Sequence, residues 1–218
     1  MGSSISPTEV EYAESFLDDL DRDQPSLMRE AHDRARDLGI SCFSNQSSSL
    51  IELLTASIQA QAVIEIGTGV GVSGAAILAG MTPGGVLTSI DLEAEYQRYA
   101  RELFESLGYP HQRTRLIAGR ALDVLPRFSD GAYDLIVVDS DPSEFPAILN
   151  QAKRLLRIGG LVVFNSVFEA GIADPSVRDY EAIAVRDCAT ALRHDDDWLP
   201  ALLTVGQGLL LGSLRSRS

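Results

Sequence analysis

Cysteine is scarce: the 218 residues hold two, Cys42 and Cys188. So few and so far apart, they build neither a disulfide framework nor a CxxC metal or redox motif, which points to a reducing, cytoplasmic setting. Long apolar runs are missing as well. No stretch reaches the ~18 uninterrupted apolar residues of a membrane span, and MGSSISPTEVEYAE lacks the basic-then-apolar order of a signal peptide. Positive charge is in short supply, with 18 Lys and Arg against 31 Asp and Glu and a net charge of −13. Such a surface repels phosphate backbones, so the expected partner is a small molecule and neither nucleic acid nor membrane. No internal repeat and no low-complexity tract beyond the serine-rich start interrupts the chain.

What remains is an ordinary folded composition, 45% hydrophobic and 22% charged. At this length a single core buries roughly 70% of the unfolded surface, so one domain is expected. Residues 1–60 read as a helical extension packed on a core over residues 61–218. Apolar positions recur at helical spacing from Ser6 to Gly39, divided by Pro25, and a further helix is expected from Ser47 to Ile58. The acids of the first segment, Glu9 to Asp23, read as a solvated helix face.

Beyond residue 60 the pattern changes. Short β-branched runs (AVIEIG, VLTSID, TRLIAG, YDLIVVD, LVVFN) alternate with helix-period segments, which predicts a doubly wound, mostly parallel α/β sheet covered by helices on both faces. Asp174-Pro175 reads as an N-cap and first helical position, opening a helix that reaches about His194. LPALLTV and GLLLGSL are separated by Gly206, Gln207 and Gly208, too few residues for a parallel crossover, so they should close the sheet as an antiparallel hairpin.

The chemistry concentrates where the first strand turns into a helix, in Glu65-Ile66-Gly67-Thr68-Gly69-Val70-Gly71-Val72-Ser73-Gly74. Glycines there let a ligand approach the backbone, and the free N–H groups of the helix start point at it. Asp91 closes the next strand 24 positions after Gly67, near the spacing at which an acid reaches a ribose hydroxyl. Gly69, Gly71 and Gly74 also spell GxGxxG, which leaves a nicotinamide or flavin dinucleotide open. The register argues for S-adenosylmethionine instead, because Gly67 ends the strand with Glu65 just ahead of it, giving ExGxGxG.

With IEIGTGVGVSG, LTSIDLE, RLIAGRALDVLP, YDLIVVDSDP, LLRIGGLVVFN and LTVGQGLLL in place, the chain resembles the class I methyltransferases from about Met28 to Leu214. Within them it is similar to the small bacterial O-methyltransferases akin to catechol and caffeoyl-coenzyme A O-methyltransferases. The resemblance implies a Rossmann-like sheet of about seven strands, a homodimer, and S-adenosylmethionine at the carboxyl ends of the strands. It places Glu65, Gly67, Thr68 and Ser73 around the methionine part of that cofactor, Asp91 on the ribose, and Leu92 and Ala121 at the adenine. Phe43 matches a cofactor contact from the N-terminal segment. Asp139 and Asp141 match an Asp-x-Asp whose first member faces substrate and whose second lies near the cofactor.

Two departures from the family pattern bear on mechanism. Pro142 stands where many relatives carry a lysine base, and Asn165-Ser166 stands where they carry Asp-Asn to complete a divalent-metal site. Exchange of a carboxylate for an amide removes a charge that hard cations favour, so metal binding is expected to be weak or absent. Asp139 is then the expected base. His32, His111 and His194 are expected on the surface, and Trp198 in the core. The leading reading is an S-adenosylmethionine-dependent O-methyltransferase acting on a small hydroxylated acceptor, phenolic in the simplest case. The alternatives are a catalytically silent cofactor-binding protein and a nicotinamide-dependent oxidoreductase.

Overall fold

The computed structural model describes residues 26–172, 174 and 176–217. The helix read before Pro25 and its acidic face lie outside the described residues. Helix α1 (Ser26–Asp37) buries Met28, Ala31 and Ala35 on one face, and its chain turns at Gly39. Helix α2 (Asn45–Ser57) starts at the Ser44 N-cap, whose hydroxyl accepts from the Ser47 N–H at 3.1 Å.

The alternating segments then follow in order: β1 (Ala62–Ile66), α3 (Val72–Gly80), β2 (Val86–Asp91), α4 (Ala94–Ser106), β3 (Thr114–Ala118) and the single-turn α5 (Ala121–Val124). Next come β4 (Tyr133–Val138), α6 (Phe145–Leu155), β5 (Leu156–Phe164), α7 (Tyr180–His194), β6 (Trp198–Leu203) and β7 (Leu209–Leu214). The seven strands form one sheet in the order β3-β2-β1-β4-β5-β7-β6. The first five are parallel neighbours, and β7 pairs antiparallel with both β5 and β6. This is the expected Rossmann-like sheet with a terminal hairpin.

Residues of one strand alternate between two apolar layers, because successive side chains point to opposite faces. Ile64, Ile66, Ile136 and Val138 pack with α6 and α7, while Val63, Leu135 and Val137 pack with α1, α2, α3 and α4. The strand order reverses between β1 and β4, and a crevice opens there at the strands' carboxyl ends. Helix α7 corrects the sequence reading. It opens at Tyr180, with the Asp179 carboxylate accepting from the Ala182 N–H at 2.8 Å. Asp174 instead closes a local turn by accepting from the Ser176 N–H and hydroxyl.

Candidate functional site

The crevice holds a cavity of about 310 Å³ walled by the turns after β1, β2, β3 and β4. Its first wall is the glycine elbow. Gly67 has φ +94°, and a Cβ there would lie 1.9 Å from the Asp139 carbonyl oxygen, so no other residue fits where β1 and β4 run side by side. Gly67, Thr68, Gly69, Val70, Val72 and Ser73 line the cavity. Gly71 and Gly74 do not: added Cβ atoms would meet Ala100 and Phe104 of α4, so these two glycines let α3 and α4 pack closely. Of the GxGxxG triplet, Gly69 alone lines this cavity.

Behind the elbow lies a buried polar network. Glu65, fully buried, accepts from Ser73 Oγ at 2.7 Å and Ser89 Oγ at 2.5 Å. Ser89 Oγ shares a 2.6 Å hydrogen bond with Thr68 Oγ1, and Gln97 Nε2 donates to Thr68 Oγ1, Ser89 O and Ile117 O. Burial pushes the Glu65 carboxyl up to about 7 against the opposing pull of both serines, with the charges of Asp139 and Asp91 adding to the rise. Glu65 therefore braces the elbow from behind and does not line the cavity.

The opposite wall carries the acids. Asp91 Oδ2 accepts from the Gly69 N–H at 2.9 Å and Oδ1 from the Glu93 N–H at 2.9 Å, tying the elbow to the end of β2. Leu92 beside it is 70% exposed at the cavity edge, an apolar side chain that a flat ring could cover. Ala121, at the start of α5, and Asp141 complete this side. Asp141 also accepts from the Ser143 N–H at 2.9 Å, capping a short 3-10 turn that has Pro142 at its first position.

Asp139 lines the cavity and is half-buried at the end of β4. Burial lifts its carboxyl to about 6; a hydrogen bond from Asn165 Nδ2 at 2.9 Å opposes the shift and the Glu169 charge adds to it. Five lining residues are acidic, namely Asp91, Glu93, Asp139, Asp141 and Glu144. The one lining guanidinium, Arg120, is held by Glu144 at 2.7 Å. The cavity is thus negative and suits a cationic ligand better than a pyrophosphate.

Eight of the ten side chains or backbones named from the sequence converge on this cavity: Gly67, Thr68, Ser73, Asp91, Leu92, Ala121, Asp139 and Asp141. Glu65 sits behind it, and Phe43 is fully buried in the core beneath α1 and α2. Ile40, Ser41 and Cys42, the residues just before Phe43, line the cavity in its place. Cys42 Sγ lies 3.4 Å from His32 Nδ1, so His32 is a half-buried neighbour of the site and not the expected surface residue. Gln97 and Ser89 were also missed. A polar residue on a helix or strand has no chemical signature until the fold brings it behind the loop.

At the end of β5 the chain offers a divalent cation an amide, Asn165, in place of a carboxylate. In this structure the Asn165 amide donates its nitrogen to Asp139 Oδ1 at 2.9 Å, so its carbonyl is not directed at that carboxylate. Among the described residues, no three His, Cys, Asp or Glu side chains are grouped to hold a metal.

The family model described as O-methyltransferase matches residues 23–215. A Mycobacterium avium protein named "Putative O-methyltransferase" is 42% identical over 188 residues, covering 86% of this chain and 85% of its own length. A crystal structure of a Corynebacterium glutamicum protein superposes with a TM-score of 0.88 at 28% identity, covering 96% of this chain and 98% of that one. The Streptomyces achromogenes O-methyltransferase TomG, involved in tomaymycin synthesis and solved with S-adenosylmethionine, superposes with a TM-score of 0.81 at 26% identity, covering 88% and 91% of the two chains.

Proposed function

Because this chain belongs to the O-methyltransferase family, we propose that it transfers the methyl group of S-adenosylmethionine to the hydroxyl of a small acceptor, without needing a divalent metal. The observation that carries the reading is the negative cavity, in which the glycine elbow and Asp91 face each other. Bound there, S-adenosylmethionine supplies an electrophilic methyl on a positively charged sulfur.

The residues of the chain then have distinct tasks. Gly67, Thr68, Gly69 and Ser73 present backbone and hydroxyl groups to the amino-acid end of the cofactor. Asp91 takes the ribose hydroxyls, exchanging its Gly69 contact for a ligand contact or sharing it. Leu92 and Ala121 flank the adenine, and Asp141 lies at the cofactor's edge. Asp139 would accept the proton of the acceptor hydroxyl, and S-adenosylmethionine, when bound, would supply the methyl group to that oxygen and leave as S-adenosylhomocysteine. A carboxylate titrating at about 6 is matched to an acidic hydroxyl, such as a phenol, better than to an alkyl alcohol. The reading includes a homodimer, carried over from the family resemblance, in a cytoplasmic setting, expected from the scarcity of cysteine.

The test is ligand binding followed by turnover. S-adenosylhomocysteine at 100 times its Kd should stabilise the protein by about 2.7 kcal/mol, with no shift from NAD. Methylation of a phenol panel should proceed equally with magnesium and with chelator. Stabilisation by NAD alone refutes the proposal. Binding without turnover favours a silent cofactor-binding protein.

A further inference from the structure

Two acids of the cavity wall, Glu93 and Glu144, have no task in the proposed transfer. Glu93 is exposed, and its side chain forms no hydrogen bond or ion pair among the described residues. Glu144 differs, because its side chain is only 17% exposed and is gripped by Arg120. Arg120 Nε donates to Glu144 Oε1 at 2.8 Å, and Nη2 approaches the same oxygen at 2.7 Å. The pair joins the turn after β3 to the turn after β4, strands that are separated in the sheet by β2 and β1. Both contacts fall on Oε1, so Oε2 is left without a hydrogen bond among the described residues. Nor is the carboxylate spent on its own helix: Glu144 stands at the N-cap of α6, yet its side chain makes no capping bond. A carboxylate fixed through one oxygen and unused at the other, on the wall of a cavity, is a preformed acceptor.

Its place fits one part of the cofactor. Arg120 directly precedes Ala121, and Ala121 and Leu92 form the wall assigned above to the adenine. A carboxylate oxygen only accepts hydrogen bonds, and the ring nitrogens N1, N3 and N7 of adenine accept as well. The 6-amino group is the donor that the base offers, so it is the group that Oε2 can engage. A 6-oxo purine would turn a carbonyl toward the same oxygen and leave two acceptors facing each other.

We propose that Glu144 selects adenine: its Oε2 accepts a hydrogen bond from the 6-amino group, and Arg120 is the positioning residue that holds the carboxylate there. The inference rests on S-adenosylmethionine being the cofactor. It gives the ion pair a task beyond joining two turns, since the guanidinium is neutralised through one carboxylate oxygen while the other stays available to the base.

The test is isothermal titration of S-adenosylhomocysteine and of S-inosylhomocysteine, which carries a 6-oxo group in place of the amine. The wild type should bind the adenosyl compound at least ~30-fold more tightly, the scale expected when a hydrogen bond to a charged group gives way to opposed acceptors. Glu144→Ala should lose ~10-fold in affinity for S-adenosylhomocysteine, while affinity for S-inosylhomocysteine stays within about threefold or improves. Glu144→Gln offers a donor as well as an acceptor and should bring the two ligands to within about threefold of each other. Arg120→Ala should erode the preference by ~3-fold, and the double variant should be no worse than Glu144→Ala alone, because the guanidinium acts through the carboxylate.

Both side chains reach solvent, so the variants are expected to fold, which circular dichroism checks; Glu144→Gln carries the test if the alanine variant melts early. Equal binding of the two ligands by the wild type, or variants that lose affinity for both in proportion, overturns the inference and leaves the methyltransferase reading standing. No binding of S-adenosylhomocysteine by a folded wild type refutes that reading and this inference with it.

Discussion

The Gly69 N–H donates to the Asp91 carboxylate at 2.9 Å, joining the glycine elbow after β1 to the end of β2. This bond holds the two walls of the cavity in register before any ligand enters. On the proposed reading, the same acid that joins the two walls also takes the ribose hydroxyls.

Gly67→Ala should be the most damaging of the elbow substitutions. The added carbon would lie 1.9 Å from Asp139 O in a left-handed backbone conformation, forcing β1 and β4 apart. A loss of at least ~3 kcal/mol in urea unfolding is expected. At Gly69 the nearest atom is 3.9 Å away, and Gly69→Ala carries only the backbone strain of about 1–3 kcal/mol. A Gly67→Ala protein as stable as wild type would contradict the geometry.

Methyl transfer should depend on the ionised form of Asp139. Its carboxyl is lifted to about 6, so the rate should rise as pH increases through 6 and level off above it. Asp139→Asn should cut kcat by about 10²–10⁴ while S-adenosylhomocysteine still binds. Glu169→Gln removes one of the causes of the lift and should move the acid limb to lower pH. A profile that ignores Glu169→Gln argues against this assignment.

Stability should also depend on pH through Glu65. Its folded value, about 7, lies above the ordinary 4.5, so the folded state binds the proton more tightly than the unfolded one. The stabilisation this gives is complete below 4.5 and is lost as pH rises through 7. Glu65→Gln cannot titrate and should flatten this part of the stability profile, as measured by denaturant titration from pH 4 to pH 8. An unchanged slope would contradict the buried, protonatable carboxyl.

Gln97→Met keeps the volume of the side chain and removes the donor that serves Thr68 Oγ1, Ser89 O and Ile117 O. The Gln97 side chain touches no ligand in this account, yet affinity for S-adenosylhomocysteine should fall about tenfold as Thr68 loses its support, a loss near 1.4 kcal/mol. Isothermal titration reads this directly.

The sheet was legible in the sequence because its strands are near-continuous apolar runs, and the hairpin because a three-residue link permits no crossover. The start of α7 was not. Asp174 and Asp179 are both good caps, and the choice falls to Asp179 because the buried face of Ala182, Val185, Cys188 and Leu192 begins one turn after it. Within the site, the glycines and acids have recognisable spacing. Cys42, His32, Ser89 and Gln97 do not, since they are brought there by packing between segments distant in the chain. Phe43 was one residue away from the lining, a distance that in an irregular loop separates cavity from core.

The central claim is that the elbow and Asp91 together hold the adenosyl and amino-acid parts of S-adenosylmethionine, which S-adenosylhomocysteine shares. Isothermal titration of S-adenosylhomocysteine into wild-type and Asp91→Ala proteins tests it most directly. The account predicts binding by the wild type and a loss of about 100-fold in Asp91→Ala, the size expected when hydrogen bonds to a charged group are removed. Equal affinity in both proteins, or no binding by a folded wild type, would contradict it.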